Sequence, residues 1–235
     1  MVGANTQVNQ APGTSRADFL ARIREALGRP GPQDPGSAPQ VPEDLVRLAS
    51  DQDDLVELFT RRAGEVGMQV RPCRGAELSE RLAELLVELQ AGSVTLALPT
   101  TDRDDQIARD LQDRNIVLLN WRDDRSMAEQ YRADAGICDV HAALAETGSL
   151  VCCSGADHAR GHSLVPPVHI AVVRKQDILP DLLDYIAQQE GTSPPDLPSA
   201  QALITGPSKT ADIEGVLITG VHGPGQVFIM LIEDG

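Results

Sequence analysis

Aromatic side chains and long apolar segments are both scarce in this chain of 235 residues. Aromatic residues make up 3% of it, so the core must be built from aliphatic side chains. No apolar run approaches the ~20 residues that span a bilayer. The first residues also lack the basic region and apolar stretch of a secretory signal. We therefore predict a cytoplasmic protein that does not insert into a membrane.

Basic charge is also limited. Twenty basic residues stand against 35 acidic ones, which gives a net charge of −15. This balance excludes a generic duplex nucleic-acid binder, because such proteins need clustered Lys and Arg. It equally disfavours an anionic membrane surface as the partner. A small anionic metabolite remains a candidate ligand where a local positive site overcomes the overall field.

The four cysteines include no C-x-x-C pair. Neither an iron–sulfur motif nor a zinc knuckle is encoded in this way. We predict four reduced thiols, no intrinsic cofactor and no metal site. The cysteines are Cys73, Cys138, Cys152 and Cys153.

Residues 1–42 are predicted to form an arm made of a loose tail, a helix and a proline-rich linker. Thr14 or Ser15 can cap a helix that runs to about Leu27, and Gly28 ends it. An amphipathic helix outside the core needs a surface to cover, which is either its own domain or a second copy in a homodimer.

Residues 43–235 alternate short apolar runs with amphipathic helices. This pattern predicts an α/β domain with a mostly parallel sheet flanked by helices. Residues 141–145 are expected to form a short helical turn. A longer helix over 177–189 should turn Ile178, Leu182, Leu183 and Ile186 inward.

Ligands of open α/β sheets bind beyond the carboxyl ends of the strands, and three segments of unusual composition are predicted to lie there. The segment GPSKTADIE begins at Gly206. Its Ser208 and Thr210 suit a helix N-cap whose free N–H groups could hold an anion beside Lys209, one of two lysines in the chain. The alternative is a capped turn without a ligand. Pro207 and Asp212 belong to the same segment.

The other two segments are GVHGPG, with His222 and Gly223, and AETG, with Glu146, Thr147 and Gly148. His222 could act as an acid–base group or an anion contact, or could simply be packed in a Gly/Pro turn. Glu146 could be a base or nucleophile, or could hold the turn through backbone hydrogen bonds.

Arg160 is a further candidate, because it suits bidentate binding of a carboxylate or phosphate. His158 and His162 flank it four residues apart. Two histidines at this spacing can bind zinc on a helix, but the H-E-x-x-H form is missing, so zinc is not predicted there.

The blocks ICDVHAALAETGSLV, SLVPPVHIAVV and LITGPSKTADIEGVLITGVHGPGQVFIMLIED resemble, in order and spacing, the lactate-utilisation protein C family, the stand-alone form of the LUD domain. The resemblance covers about residues 15–235. It implies a fold like that of ribose-phosphate isomerase and CoA transferases. It also implies a part in oxidising L-lactate to pyruvate beside partner subunits that carry iron–sulfur clusters.

The matching motif positions become candidate site residues through this resemblance. They are Glu146, Thr147, Gly148, Gly206, Pro207, Ser208, Lys209, Thr210, Asp212, His222 and Gly223.

Three functions follow as hypotheses. The first is a non-redox subunit of an iron–sulfur L-lactate-oxidising complex. The second is an independent enzyme on a sugar phosphate or acyl-CoA, with Glu146 as base or nucleophile. The third is a module that senses a small carboxylate.

Overall fold

The computed structural model describes residues 15–29, 31, 36–37, 42, 46–98, 103–121, 131–155, 158–189, 192, 197–213 and 216–234. The chain divides into two units, Met1–Val46 and Arg47–Gly235. Among the described residues, no helix combines the length and the apolar character needed to cross a membrane.

The first unit contains helix α1 (Arg16–Ala26), as predicted. The Ser15 hydroxyl caps it by accepting a hydrogen bond from the Asp18 N–H at 3.1 Å. Gly28 ends it with a φ of +63°, which a glycine adopts without steric cost. The apolar side chains Phe19, Ile23 and Leu27 are exposed. A homodimer built on this helix stays a prediction.

A six-stranded sheet forms the centre of the second unit, in the order β1-β12-β7-β4-β2-β3. Every neighbouring pair in it is parallel, which confirms the predicted mostly parallel sheet. Its strands are β1 (Gln69–Cys73), β2 (Ser93–Ala97), β3 (Val117–Leu118), β4 (Ala135–Asp139), β7 (Val168–Arg174) and β12 (Gln226–Ile232).

Alternate residues of the central strands pack into two separate apolar clusters, because successive side chains of a strand point to opposite faces. In β12, Phe228 and Met230 join the cluster that contains residues of helices α3 (Leu78–Glu88) and α4 (Arg103–Asp113). The intervening Ile229 joins the cluster on the other face, with residues of helix α2 (Leu55–Glu65) and of a second sheet. Both faces are therefore covered, as a parallel sheet requires.

The second sheet has four strands in the order β8-β5-β6-β9. β5 pairs antiparallel with β6, and β6 antiparallel with β9, whereas β5 and β8 are parallel. These strands are β5 (Ala142–Leu144), β6 (Ser149–Ser154), β8 (Ile178–Leu179) and β9 (Ala200–Ile204).

Two predicted helical segments were wrong in this region. Residues 142–144 form a strand instead of a helical turn, because all three side chains are buried and the strand pairs on both sides. Tertiary burial here overrides the helix propensity of alanine.

The helix predicted over 177–189 is also shorter than expected. The chain first forms strand β8, and helix α6 (Leu182–Ala187) begins after Asp181, whose carboxylate accepts hydrogen bonds from two N–H groups of its first turn. Leu182, predicted to point inward, is 41% exposed, whereas Tyr185 is only 2% exposed. Leu183 and Ile186 are likewise exposed.

Strands β10 (Lys209–Ile213) and β11 (Val216–Thr219) pair antiparallel and are called the β10–β11 hairpin. Ser208 and Thr210, considered as N-caps, therefore do not begin a helix. The β-branched Thr210 lies opposite Ile218 across the hairpin, a pairing that favours the extended conformation.

The short helix α5 (Gly161–Leu164) lies directly on β4. A Cβ at Gly136 would fall 1.9 Å from the carbonyl oxygen of His162, so only glycine allows this approach. The His162 ring then contacts the edge of Trp121, with 4.6 Å between ring centroids.

We expect Gly136→Ala to lower the free energy of unfolding by at least ~2 kcal/mol, because the added methyl group meets backbone that cannot rotate away. Urea denaturation measures the change. Gly155→Ala is the matched control, since nothing lies within 4 Å of a Cβ there. Its effect should stay within ~0.5 kcal/mol, and an equal loss in both variants would contradict the close approach of α5.

Candidate functional site

Three predicted site residues pack against the carboxyl-terminal end of α2. A Cβ at Gly148 (φ +66°) would lie 2.4 Å from the Ala63 nitrogen, and one at Gly206 (φ +95°) would lie 2.6 Å from the Val66 carbonyl oxygen. The Lys209 ammonium donates to the same Val66 oxygen at 3.2 Å. Lys209 therefore stabilises the negative end of the helix dipole.

A chain of hydroxyl groups joins the AETG segment to the strand that leads into GPSK. Thr147 Oγ1 and Ser149 Oγ are 2.7 Å apart, and Ser149 Oγ and Thr205 Oγ1 are also 2.7 Å apart. Ser149 is buried, so the chain satisfies a hydroxyl that would otherwise be costly to bury. The two motif segments are thus held to each other.

Glu146 lies half-buried in the turn between β5 and β6, where its N–H donates to the Pro180 carbonyl at 2.9 Å. Burial raises the pKa of its carboxyl group, and the charge of Asp181 raises it further. Arg62 and Arg47 act in the opposite direction on this pKa.

The GVHGPG segment packs against Ser208. The Ser208 N–H donates to the Pro224 carbonyl and its own carbonyl accepts from the Gly220 N–H, both at 2.8 Å. A Cβ at Gly223 would lie 3.2 Å from the Ser208 Cβ. His222 is exposed in this loop.

The GVHGPG segment precedes β12, so it lies at the amino end of the central sheet. Its predicted position beyond the carboxyl ends of the strands was wrong. The reason is that the loop connects the β10–β11 hairpin to the start of β12 instead of following a strand of the central sheet.

The structure thus brings the three motif segments together, with Gly148 and Gly206 packed against backbone and Gly223 against the Ser208 side chain. Pro207 lies 3.6 Å from a Cβ built at Gly67, and Thr210 is half-buried on β10. The side chain of Asp212 lies outside the described residues. Catalytic roles for Glu146 and His222 stay predictions.

The carboxyl end of β4 carries a different group of polar side chains. Asp139 is the last residue of β4, and its Oδ1 lies 2.5 Å from His158 Nε2. A cavity of about 110 Å³ beside this pair is lined by Asp139, Val140, His141, Cys153 and His158.

Arg160 lines a narrower adjoining cavity that shares Asp139, Cys153 and His158 with the first. The side chain is exposed, and no ion pair of Arg160 occurs within the described ranges. The imidazole–carboxylate pair therefore lines both cavities, the one of about 110 Å³ and the adjoining one of about 10 Å³, whereas Arg160 lines only the smaller.

His162, the second of the two histidines considered as zinc ligands, points into the core. Its Nδ1 lies 2.9 Å from Thr95 Oγ1 inside the core. His158 and His162 thus contact different partners.

A buried cluster of Cys138, Cys152 and His169 lies behind the Arg160 cavity. Cys138 Sγ and His169 Nε2 are 3.3 Å apart, and the three potential ligand atoms all lie within 4.8 Å of one another. Sequence reasoning missed this cluster, because its members lie on three strands of two sheets and form no local motif. Only the strand order brings them together.

Burial sets the protonation states of this cluster. It lowers the pKa of His169 to about 4, with a further contribution from the neighbouring His162. The contact with Cys152 raises the pKa of the Cys138 thiol well above its ordinary value, and burial adds to the effect. The imidazole of His169 is therefore neutral and the Cys138 thiol protonated at neutral pH.

Comparisons with known proteins identify the family. The model of the LUD domain matches residues 56–232. A protein named lactate utilization protein C from Exiguobacterium sp. is 33% identical, with 94% of this chain and 97% of that protein covered. Another of that name from Bacillus velezensis is 27% identical, with 94% and 97% covered. The chain belongs to the LUD-domain family.

Two further comparisons agree with this assignment. The uncharacterized protein YkgG of Escherichia coli is 31% identical, with 94% of this chain and 99% of that protein covered. A crystal structure of a DUF162 family protein from Deinococcus radiodurans has a TM-score of 0.56 at 22% identity and covers 76% of this chain and 96% of that one. This likeness concerns the fold alone.

We expect Glu146→Gln to increase the free energy of unfolding above neutral pH. A carboxyl group whose pKa is raised by folding is less stable when ionised in the folded protein, so its charge lowers stability once the pH exceeds that raised pKa. Below a pH of about 4.3, which is the pKa of a glutamate in the unfolded chain, the carboxyl group is protonated and its charge no longer lowers stability.

Urea denaturation at a series of pH values measures this difference, which should vanish at the acidic end. Glu233→Gln, at an exposed site after β12, is the control and should change stability by less than ~0.5 kcal/mol. A Glu146 variant that is less stable than the wild type at pH 8 would show that the carboxylate holds the turn.

Proposed function

We propose that this protein acts in L-lactate utilisation as the non-redox, substrate-binding subunit of a cytoplasmic complex whose partner subunits carry iron–sulfur clusters. The observation that carries the proposal is the cavity of about 110 Å³ beside the His158–Asp139 pair at the carboxyl end of β4, with Arg160 on the narrow cavity that adjoins it. The names of the relatives support lactate utilisation as the context.

The size and position of the cavity suit a three-carbon acid. A volume of about 110 Å³ has room for several water molecules, each needing ~10–15 Å³, and a 2-hydroxy acid is of that size. The end of a parallel strand is also where α/β sheets bind ligands.

The side chains match the two functional groups of lactate. The Arg160 guanidinium can bind the carboxylate through two parallel hydrogen bonds. His158, oriented by Asp139, can accept the proton of the 2-hydroxyl group. Oxidation to pyruvate removes two electrons and two protons; His158 can take the hydroxyl proton, and the partner subunits would take the C2 proton and both electrons, the latter on their iron–sulfur clusters.

A phosphorylated substrate held by the GPSK segment is less well supported. The Lys209 ammonium contacts the Val66 carbonyl, and Ser208 and Thr210 do not begin a helix. The cradle of N–H groups that this alternative needs is therefore not formed by these residues.

The β10–β11 hairpin offers a surface for the partner subunits. Val216 and Ile218 project from the same face of β11 and are 59% and 36% exposed, and Leu217 on the other face is 59% exposed. A two-stranded hairpin is marginally stable alone, and exposed apolar patches of this kind mark protein interfaces.

We expect Arg160→Gln to weaken binding of L-lactate or pyruvate by about 10- to 100-fold, the value of a charge-assisted pair of hydrogen bonds. Isothermal titration calorimetry with the full chain measures the change, and Lys175→Gln is the charge-matched control. Unchanged affinity in Arg160→Gln, or tighter binding of sugar phosphates than of lactate, would contradict the proposal.

We expect Leu217→Glu to reduce co-purification with iron–sulfur subunits at least tenfold under anaerobic conditions, because the new carboxylate would have to be desolvated in the interface. Val87→Glu, on the exposed side of α3, is the control and should leave the yield of complex unchanged. Full recovery of partners with Leu217→Glu would show that they bind elsewhere.

A further inference from the structure

The Cys138–Cys152–His169 cluster brings three potential metal ligands within 4.8 Å of one another. All three side chains are buried, Cys138 to 5%, Cys152 to 9% and His169 to 0% exposure. The Nε2 of His169 lies 3.3 Å from Cys138 Sγ and faces the two thiols.

The distances suit tetrahedral coordination. Zn–S bonds of ~2.3 Å and Zn–N bonds of ~2.0 Å place neighbouring ligand atoms about 3.5–3.8 Å apart. The Cys138 Sγ to His169 Nε2 distance of 3.3 Å and the upper limit of 4.8 Å for the whole cluster bracket this range. Side-chain shifts of up to about 1 Å would bring all three ligand atoms to these separations around an ion.

The ligand types favour zinc over a harder cation. Thiolate and imidazole ligands suit Zn²⁺, whereas Mg²⁺ and Ca²⁺ take oxygen ligands.

We propose that Cys138, Cys152 and His169 bind one Zn²⁺ ion, which joins the central sheet to the second sheet and directs its fourth coordination position toward the Arg160 cavity. Cys138 and His169 belong to the central strands β4 and β7, and Cys152 to β6. Both cysteines line the cavity that contains Arg160.

Binding of Zn²⁺ to the two thiols releases protons. Each thiol loses one proton as its sulfur binds, so one Zn²⁺ enters and two protons leave. The site keeps an open fourth position, as zinc sites with three protein ligands do. The proposal does not depend on lactate as the substrate.

The test begins with the full-length wild-type protein, stripped by a chelator in the presence of a phosphine reductant. Titration with Co²⁺ should give a thiolate-to-cobalt charge-transfer band and the strong d–d bands of a tetrahedral site, saturating at one ion per chain. Zn²⁺ should abolish these bands. X-ray absorption at the zinc edge should show two sulfur ligands at ~2.3 Å and a nitrogen at ~2.0 Å.

The variants Cys138→Ser, Cys152→Ser and His169→Gln should each lower the zinc affinity at least 100-fold in competition with a chromogenic chelator. Cys73→Ser is the matched buried control, and Cys153→Ser tests the neighbouring thiol outside the cluster. Both should bind as the wild type does. Circular dichroism of the metal-free variants separates loss of ligand from loss of fold.

The absence of a charge-transfer band in reduced wild type would overturn the proposal, whatever the variants do. An oxygen-only zinc shell, or an equal loss in Cys73→Ser, would overturn it as well. None of these results bears on lactate binding, which the Arg160 titration measures separately, so the two proposals can fail independently.

Discussion

Burial of both faces of the parallel sheet is the constraint on which the rest of the structure depends. The central strands carry aliphatic side chains at nearly every position, so neither face can meet water. Helices α3 and α4 cover one face. Helix α2 and the second sheet cover the other, and this placement brings β6 near β4. The cysteine–histidine cluster and the cavity at the end of β4 both result from that layer.

The fold class could be predicted from the sequence because the local patterns of apolar runs and amphipathic segments agree with the strands and helices of the fold. Apolar runs such as VHIAVVR and QVFIMLI became central strands, and the segment over residues 103–113 became helix α4. That some strands leave the parallel sheet to form a second sheet could not be predicted from the sequence. The strand Ala142–Leu144 of this second sheet has little β propensity, and only pairing with β6 and β8 makes it a strand.

The candidate site could likewise be predicted from the sequence only in part. Glycines were correctly singled out, since Gly148 and Gly206 have positive φ angles, but glycine content alone does not distinguish contact with a ligand from contact with a helix. The contact between Asp139 and His158 could not be predicted from the sequence, because it depends on how the segment around α5 packs on β4. Arg160 was recognised from the scarcity of basic residues around it, a signal of composition rather than of spacing.

The edges of the central sheet limit how this protein can associate with itself. β1 forms one edge and contains Pro72, which has no N–H group to offer an incoming strand. β3, the opposite edge of the described sheet, is only two residues long. Neither border presents a continuous row of free backbone groups, so strand-by-strand growth into fibrils is disfavoured at both.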